Sequence, residues 1–449
     1  MAPPAVNTPF RDPNFGSRMV RVTNANTMAG FGSYFVNFSF MTDASAETNA
    51  WSVFDPTIGL HGGYRFYVIN SGGGKLPFVL DATTMQVSRP LGHPGGYLAT
   101  YGMLNFASSF SFTNPDILYG IQGTHLVSYN FATDAVTQIY DFARCPNLPA
   151  YIPGYGGTVS NSGDDTKFVY YFGGAEQGDT TFVVYYNRTA NDGAGACYWY
   201  DTEMGKVGGT NMATTPIVLP LGSYHIHNAR ISKDGTVVRI DPQIGNALYF
   251  WKAGTSQVTP CLFFGEDCGG HQALGYTHMI NDPNNNDMAD VDIRPLSNLA
   301  ALSLLVNPLP MPPQWNDSHW SWNDANATDT MPVCGSFYNS HGQGNGTQNV
   351  QTNPLLQITA PYDREIVCVA TSGPSKVWRF AHNRATSELN DNAWAGSSFW
   401  ASPRGNVSPD GRFYMFTSDW EWSLGNQKNT WGCPWEGYCR TDVFIVELH

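Results

Sequence analysis

The chain has 449 residues, 14% of them aromatic and only 13% charged, with 46 Gly, 29 Pro and a formal net charge of −13. This composition excludes disorder, which needs few apolar residues and much charge, and the scattered glycines exclude collagen. The acidic balance also points away from nucleic acid as a partner, because phosphate binding needs clustered Lys and Arg.

Short apolar–polar alternations separated by Gly, Asn, Asp and Pro dominate, and helical periodicity is nearly absent. An isolated strand, "SRMVRVTN", occupies residues 17–24. Residues 50–90 hold three strand-like runs, "RFYVINS", "KLPFVLDATTM" and "MQVSRP". The clearest unit is 109–142, where "FSFTNPDILYGI" reads as strand, turn and strand, "HLVSYNF" as a third strand and "VTQIYDF" as a fourth. Four antiparallel strands in about 35 residues make one propeller blade. The same grammar returns at 157–207, 225–264, 270–308, 317–382 and 404–448. The chain thus reads as one all-β domain over 1–449, a seven-bladed β-propeller. Its last blade shows three strands, and residues 17–24 supply the fourth, which joins the chain ends and removes open sheet edges. A large β-sandwich or two smaller β domains are the competing architectures. The turns "SKDG" (232–235) and "SPDG" (408–411) have a structural part, with Gly supplying a positive φ.

No apolar run approaches the roughly 20 residues that span a bilayer, and Met1-Ala2-Pro3-Pro4 reads as a start with no signal segment before it. There are eight cysteines and no Cys-x-x-Cys pair, which favours disulfides in an oxidising compartment over structural zinc. Cys261 with Cys268 and Cys433 with Cys439 are close enough for local bridges, and Cys334 with Cys368 for a bridge between neighbouring strands. Cys145 and Cys197 are also expected as disulfide cysteines. Asn37, Asn187, Asn316, Asn326, Asn345 and Asn406 stand in glycosylation sequons. The expected location is extracellular or periplasmic.

The innermost strands of a propeller line its axis, so side chains at their starts converge on one mouth. His225 and His227 head the fourth unit, His271 the fifth, His319 the sixth and Arg404 the seventh. Imidazole binds a divalent metal or moves a proton near neutral pH, and Arg grips a carboxylate. β-Elimination from a uronic acid needs those parts. His227 or His271 is the candidate base, Arg404 the carboxylate clamp, His319 a metal ligand or acid, and Tyr224 or Tyr276 an alternative acid. His225 and His278 are further candidate metal ligands. Trp320, Trp394 and Trp400 are candidate stacking surfaces for sugar rings, with Arg379 as a further substrate contact. The segment "NDPNNNDMADVD" (281–292) is rich in oxygen ligands but lacks the EF-hand Gly and Glu, and reads as a solvated loop. Against these roles stands the plain alternative that the histidines fill the channel and bond to backbone carbonyls.

The segments "FGSRMVRVTN", "HNARISKDG", "GHQALGY", "VWRFAHNRA", "RGNVSPDGRF" and "DVFIVEL" resemble TolB-type propellers and a family of uncharacterised secreted bacterial propellers. They are more distantly similar to oligogalacturonate lyases. The resemblance implies a propeller acting on carbohydrate, with a divalent metal such as Ca or Mn held by late-blade His side chains and a Gln. In those lyases a His precedes the Ser-Pro-Asp-Gly turn, whereas here "SPRGNVSPDG" carries Arg404 and Asn406. The expected function is a polysaccharide lyase acting on an acidic glycan at the axial mouth. The alternative is a non-catalytic propeller that binds glycan or protein, or that assembles with its own copies.

Overall fold

The computed structural model describes residues 2–28, 39–42, 48–70, 73–90, 92–98, 107–149, 152–174, 181–216, 226–242, 247–262, 268, 271–282, 291–306, 318–323, 328–337, 362, 364–385, 402–421, 423–424 and 440–449. Seven antiparallel sheets follow one another round a ring. From axis to rim, blade 1 runs Phe40–Met41, Gly63–Asn70, Lys75–Asp81, Val87–Ser88, and blade 2 runs Ala107–Phe110, Ile117–Gln122, His125–Asn130, Ala135–Asp141. In blade 3, Ile152–Gly156 and Ser160–Asn161 share the axial position beside Lys167–Gly174, followed by Phe182–Asn187, Ala196–Asp201 and two extra rim strands, Lys206–Gly209 and Met212–Pro216. Blade 4 is Ile226–Ile231, Val237–Pro242, Ala247–Lys252, Val258–Leu262; blade 5 is His271–Leu274, His278–Asp282, Val291–Pro295, Ser303–Val306. Blade 6 is Ser318–Ser321, Val333–Phe337, Glu365–Val369, Val377–His382.

Blade 7 joins the chain ends as expected. Gly405–Val407, Phe413–Ser418 and Asp442–Glu447 are completed by Arg18–Arg21, with Met19 opposite Val446 and Arg21 opposite Phe444. Phe10–Arg11 adds a fifth strand. The seam is locked by charge. Buried Asp442 accepts from Arg21 Nε (3.0 Å), Arg440 Nη2 (2.9 and 3.0 Å) and Thr23 Oγ1 (3.1 Å). A carboxylate without solvent needs such partners.

Apolar clusters fill the joints between blades, rich in Trp, Tyr and Phe, because alternate residues of each strand face opposite neighbours. Among the described residues, the joint between blades 4 and 5 has the smallest cluster, Leu248, Phe250, Cys261, Cys268, Leu274 and Met279. Disulfides join Cys145 to Cys197, Cys261 to Cys268 and Cys334 to Cys368. The last pair sits directly opposite on adjacent strands, while the first ties the end of blade 2 to blade 3. Cys433 and Cys439 lie outside the described residues. No described helix is long and apolar enough to cross a membrane.

The hairpins leaving the innermost strands form one face of the ring. Gly235 and Gly411 take φ of 75° and 73° in "SKDG" and "SPDG", as their turn chemistry requires. Ser232 and Ser408 accept from the backbone N–H of Val237 (3.0 Å) and Phe413 (3.0 Å), and "SGDDTK" repeats the device at Ser162 and Lys167 (3.0 Å). Neighbouring turns are laced together. Gly163 N–H donates to Lys233 O (2.7 Å), and Lys233 N–H donates to Gly275 O (2.8 Å). Buried Asp329 of blade 6 accepts from the blade 5 turn at Tyr276 N (2.5 Å), Thr277 N (2.7 Å), Thr277 Oγ1 (2.9 Å) and His278 N (3.1 Å).

Candidate functional site at the axial mouth

His227, His271 and His319 stand at or beside the starts of the innermost strands of blades 4, 5 and 6, and Arg404 immediately precedes that of blade 7. All four therefore belong to the end of the axis opposite the laced turns. The His271 and His319 rings stack with centroids 3.7 Å apart and planes 28° from parallel. Arg404 is held beside them, because Ser336, directly opposite His319 in its hairpin, donates from Oγ to the carbonyl of Pro403. The Arg404 carbonyl accepts from Thr42 Oγ1 of blade 1 (2.8 Å). Burial, reinforced by the charges of His271, Arg404 and His227, holds the His319 imidazole well below its ordinary 6.5. An uncharged ring against a cation-rich surround is the expected outcome.

His227 differs from its neighbours in being open, with its side chain 62% exposed. Its Nδ1–H donates to Asp241 Oδ2 (3.1 Å), and Asn228 Nδ2 donates to the same oxygen (3.3 Å). With Nδ1 protonated toward Asp241, Nε2 is left as a lone-pair acceptor. The backbone of His227 is pinned in turn, since Tyr171 of blade 3 donates from its hydroxyl to the His227 carbonyl (2.7 Å). Tyr171 reaches it past Gly157, where a Cβ would sit 1.7 Å from the tyrosine ring. Asp241 and Asn228 carry no motif. They face each other across a strand pair whose register shifts between Ile226 and Asn228, and no sequence pattern marks that shift.

The other expected site residues are placed elsewhere. Tyr276 and His278 belong to the turn at the far end of the blade 5 hairpin, roughly 15 Å along the strand from His271, and His278 Nδ1 pairs with Asp329 (3.2 Å). They do not join the mouth. Trp320 is 1% exposed, packed edge-to-face on Phe337 inside the joint between blades 5 and 6, so it presents no face to a sugar. Arg379 lies on the rim strand of blade 6 in a two-point pair with Glu365 (2.6 and 2.5 Å), three strands from the axis. Asn406 is 0% exposed, with Nδ2 donating to Thr48 O (2.7 Å), which leaves no room for a glycan at that sequon. Asn187 is half-buried at a strand end. His225, Tyr224, Trp394, Trp400, Asn37, Asn316, Asn326, Asn345 and most of loop 281–292 lie outside the described residues.

The described side chains do not fit a divalent metal. No three of His, Cys, Asp or Glu among them gather as a ligand set. Stacked rings direct their nitrogens along parallel planes rather than to one shared point, and Arg404 adds positive charge beside them. A cavity lined by Asn49, Asn161, Arg230, Lys233, Trp322 and Asn323, among others, has about 20 Å³ of free volume, room for about one water.

No family model matches the chain, and no curated protein matches it in sequence. Among solved structures, it is similar to an oligogalacturonate lyase from Vibrio parahaemolyticus (TM-score 0.48, 11% identity, covering 98% of this chain and 96% of that one). It is also similar to an oligogalacturonate lyase in complex with manganese (TM-score 0.45, 10% identity, 100% and 98% covered). A third is a catalytically inactive virginiamycin B lyase from Staphylococcus aureus with quinupristin (TM-score 0.40, 7% identity, 96% and 99% covered). The seven-bladed propeller has lyase propellers among its structural neighbours at low identity, a likeness that bears on neither activity nor metal.

Proposed function

We propose that the protein is an extracellular or periplasmic polysaccharide lyase that cleaves an acidic, uronic-acid-containing glycan at the axial mouth. The observation that carries this reading is the solvent-open His227, oriented by Asp241, beside the His271–His319 stack and Arg404. His227 Nε2 takes the proton from C5 of the uronate. The released electron pair forms the C4=C5 double bond, the C4–O4 bond breaks toward oxygen, and a proton from His271 completes the new hydroxyl. The charge of Arg404 offsets the carboxylate, whose negative charge otherwise opposes loss of the C5 proton. Buried His319 backs His271 as an uncharged platform. No step is assigned to Ca or Mn. The three disulfides support an oxidising compartment.

The test is to supply pectate, ulvan and glucuronan and follow the ultraviolet absorbance of the unsaturated product. Turnover of one of them, lost in His227→Gln and insensitive to chelator, is the expected result. No absorbance change with any of the three removes the lyase reading and leaves a binding propeller.

A further inference from the structure

The joint between blades 4 and 5 is apolar where Phe250, Leu274 and Met279 meet near the turns, and again where Leu248 packs with the Cys261–Cys268 disulfide toward the mouth. The same joint also holds a group of polar side chains. Asn228, Arg239, Gln272, Asn281 and Asp292 are all buried there, and register places Gln272 opposite Asn281 and Asn281 opposite Asp292 on one face of blade 5. A buried guanidinium is costly unless its donors are engaged, so its retention in a joint that apolar side chains could fill calls for a reason.

Arg239, 0% exposed on the second strand of blade 4, spans the joint. Its Nη1 donates to Gln272 Oε1 (2.5 Å) and its Nη2 donates to Asn228 Oδ1. Those two acceptors are the residues that directly follow His271 and His227. We propose that Arg239 is a positioning residue that holds His227 and His271 at a fixed separation by gripping the next side chain on each innermost strand. The guanidinium is suited to this because its donors form a rigid planar fork. Each anchor also orients its own histidine's strand. Asn228 Nδ2 lies 3.3 Å from Asp241 Oδ2, the partner of His227, and Gln272 Nε2 donates to Cys268 O (3.2 Å), within the loop closed by the Cys261–Cys268 disulfide. The blades are otherwise separate sheets, so one rigid bridge near the mouth sets a distance that strand hydrogen bonds leave free. The catalytic significance of that distance rests on the lyase reading; the bridge itself does not.

The experiment is histidine-ring NMR on protein carrying ¹³C-labelled histidine, with lines assigned by single His substitutions. Arg239→Met is expected to move the His227 and His271 ring resonances together, and Arg239→Lys to move them as well, because one ammonium cannot reproduce the fork. Asn228→Ala is expected to move only the His227 line, and Gln272→Ala only the His271 line. In a turnover assay, Arg239→Met lowers kcat roughly 10- to 100-fold, the scale of a small misplacement of reacting groups, with KM changed less. Unmoved His227 and His271 lines in Arg239→Met overturn the proposal. Should that variant not fold, the single-arm variants decide: either of them moving both lines, or neither line moving, overturns it equally. Wild-type protein that turns over no acidic glycan while the lines respond as expected refutes the lyase reading and leaves the positioning role standing.

Discussion

The two ends of the innermost strands carry opposite designs. At the turn end, polar groups are consumed by the fold. Asp329 takes four donors from the adjacent blade, and Lys233 and Gly163 pass a backbone hydrogen bond from blade to blade. At the mouth, polar groups are left facing one another or solvent, as in the His271–His319 stack and the open His227. The contrast separates architecture from chemistry. Four blades contribute one cation or imidazole each to the mouth, and none of these groups is needed to close a hairpin.

The contrast can be broken by substitution. The largest effect belongs at the mouth. His227→Gln lowers turnover about 10³-fold, within the range of a lost general base, while thermal unfolding stays within about 1 °C because the side chain is exposed; a matching fall in stability would show that His227 is structural. At the opposite end Asp329→Ala reverses the pattern. It leaves buried donors of the blade 5 turn unpaired and costs about 3 kcal/mol in denaturant unfolding, with turnover by the folded fraction unaltered. If activity falls with stability preserved, the turn end is not the passive scaffold described here. A smaller effect sharpens the mouth. Asp241→Asn keeps an acceptor for His227 but removes its charge, lowering activity roughly tenfold, and the variant's pH–rate profile reads the change in the base.

The smallest effect is one of pH on stability. His319 has its folded pKa depressed by burial and neighbouring charge, so the unfolded chain binds the proton first as pH falls. The His319 contribution is complete above its ordinary 6.5 and is lost progressively on acidification below it. Urea unfolding from pH 7.5 to 5 is expected to show that loss, and His319→Gln to flatten it. An unchanged slope in the variant would assign the acid sensitivity to other groups.

Much of the fold was readable because its signals are local. Strand alternation marked the blades, and Ser-x-Asp-Gly marked hairpins in which Ser232 and Ser408 bond as that chemistry demands. The heads of successive units placed His227, His271, His319 and Arg404 at corresponding positions on the innermost strands of four consecutive blades. Signals of residue type alone failed. Trp320 looked like a sugar platform, yet its position on the strand turns it into the joint against Phe337. Tyr276 and His278 follow His271 closely in sequence, but the hairpin carries them to the far end. The Asn406 sequon is occupied by packing, with its amide spent on Thr48.

The amino-acid order by itself determined seven repeated strand units, the turn chemistry between them and the pairing of chain ends in the last blade, because each depends on contacts within or beside one unit. Only the tertiary structure decided which polar groups meet across joints. The Asp241–His227 pair depends on a bulge in strand register, and the Arg239 bridge depends on how two separate sheets face each other round the axis. Neither relation has a sequence period, since inter-blade contact is set by ring closure rather than by spacing along the chain.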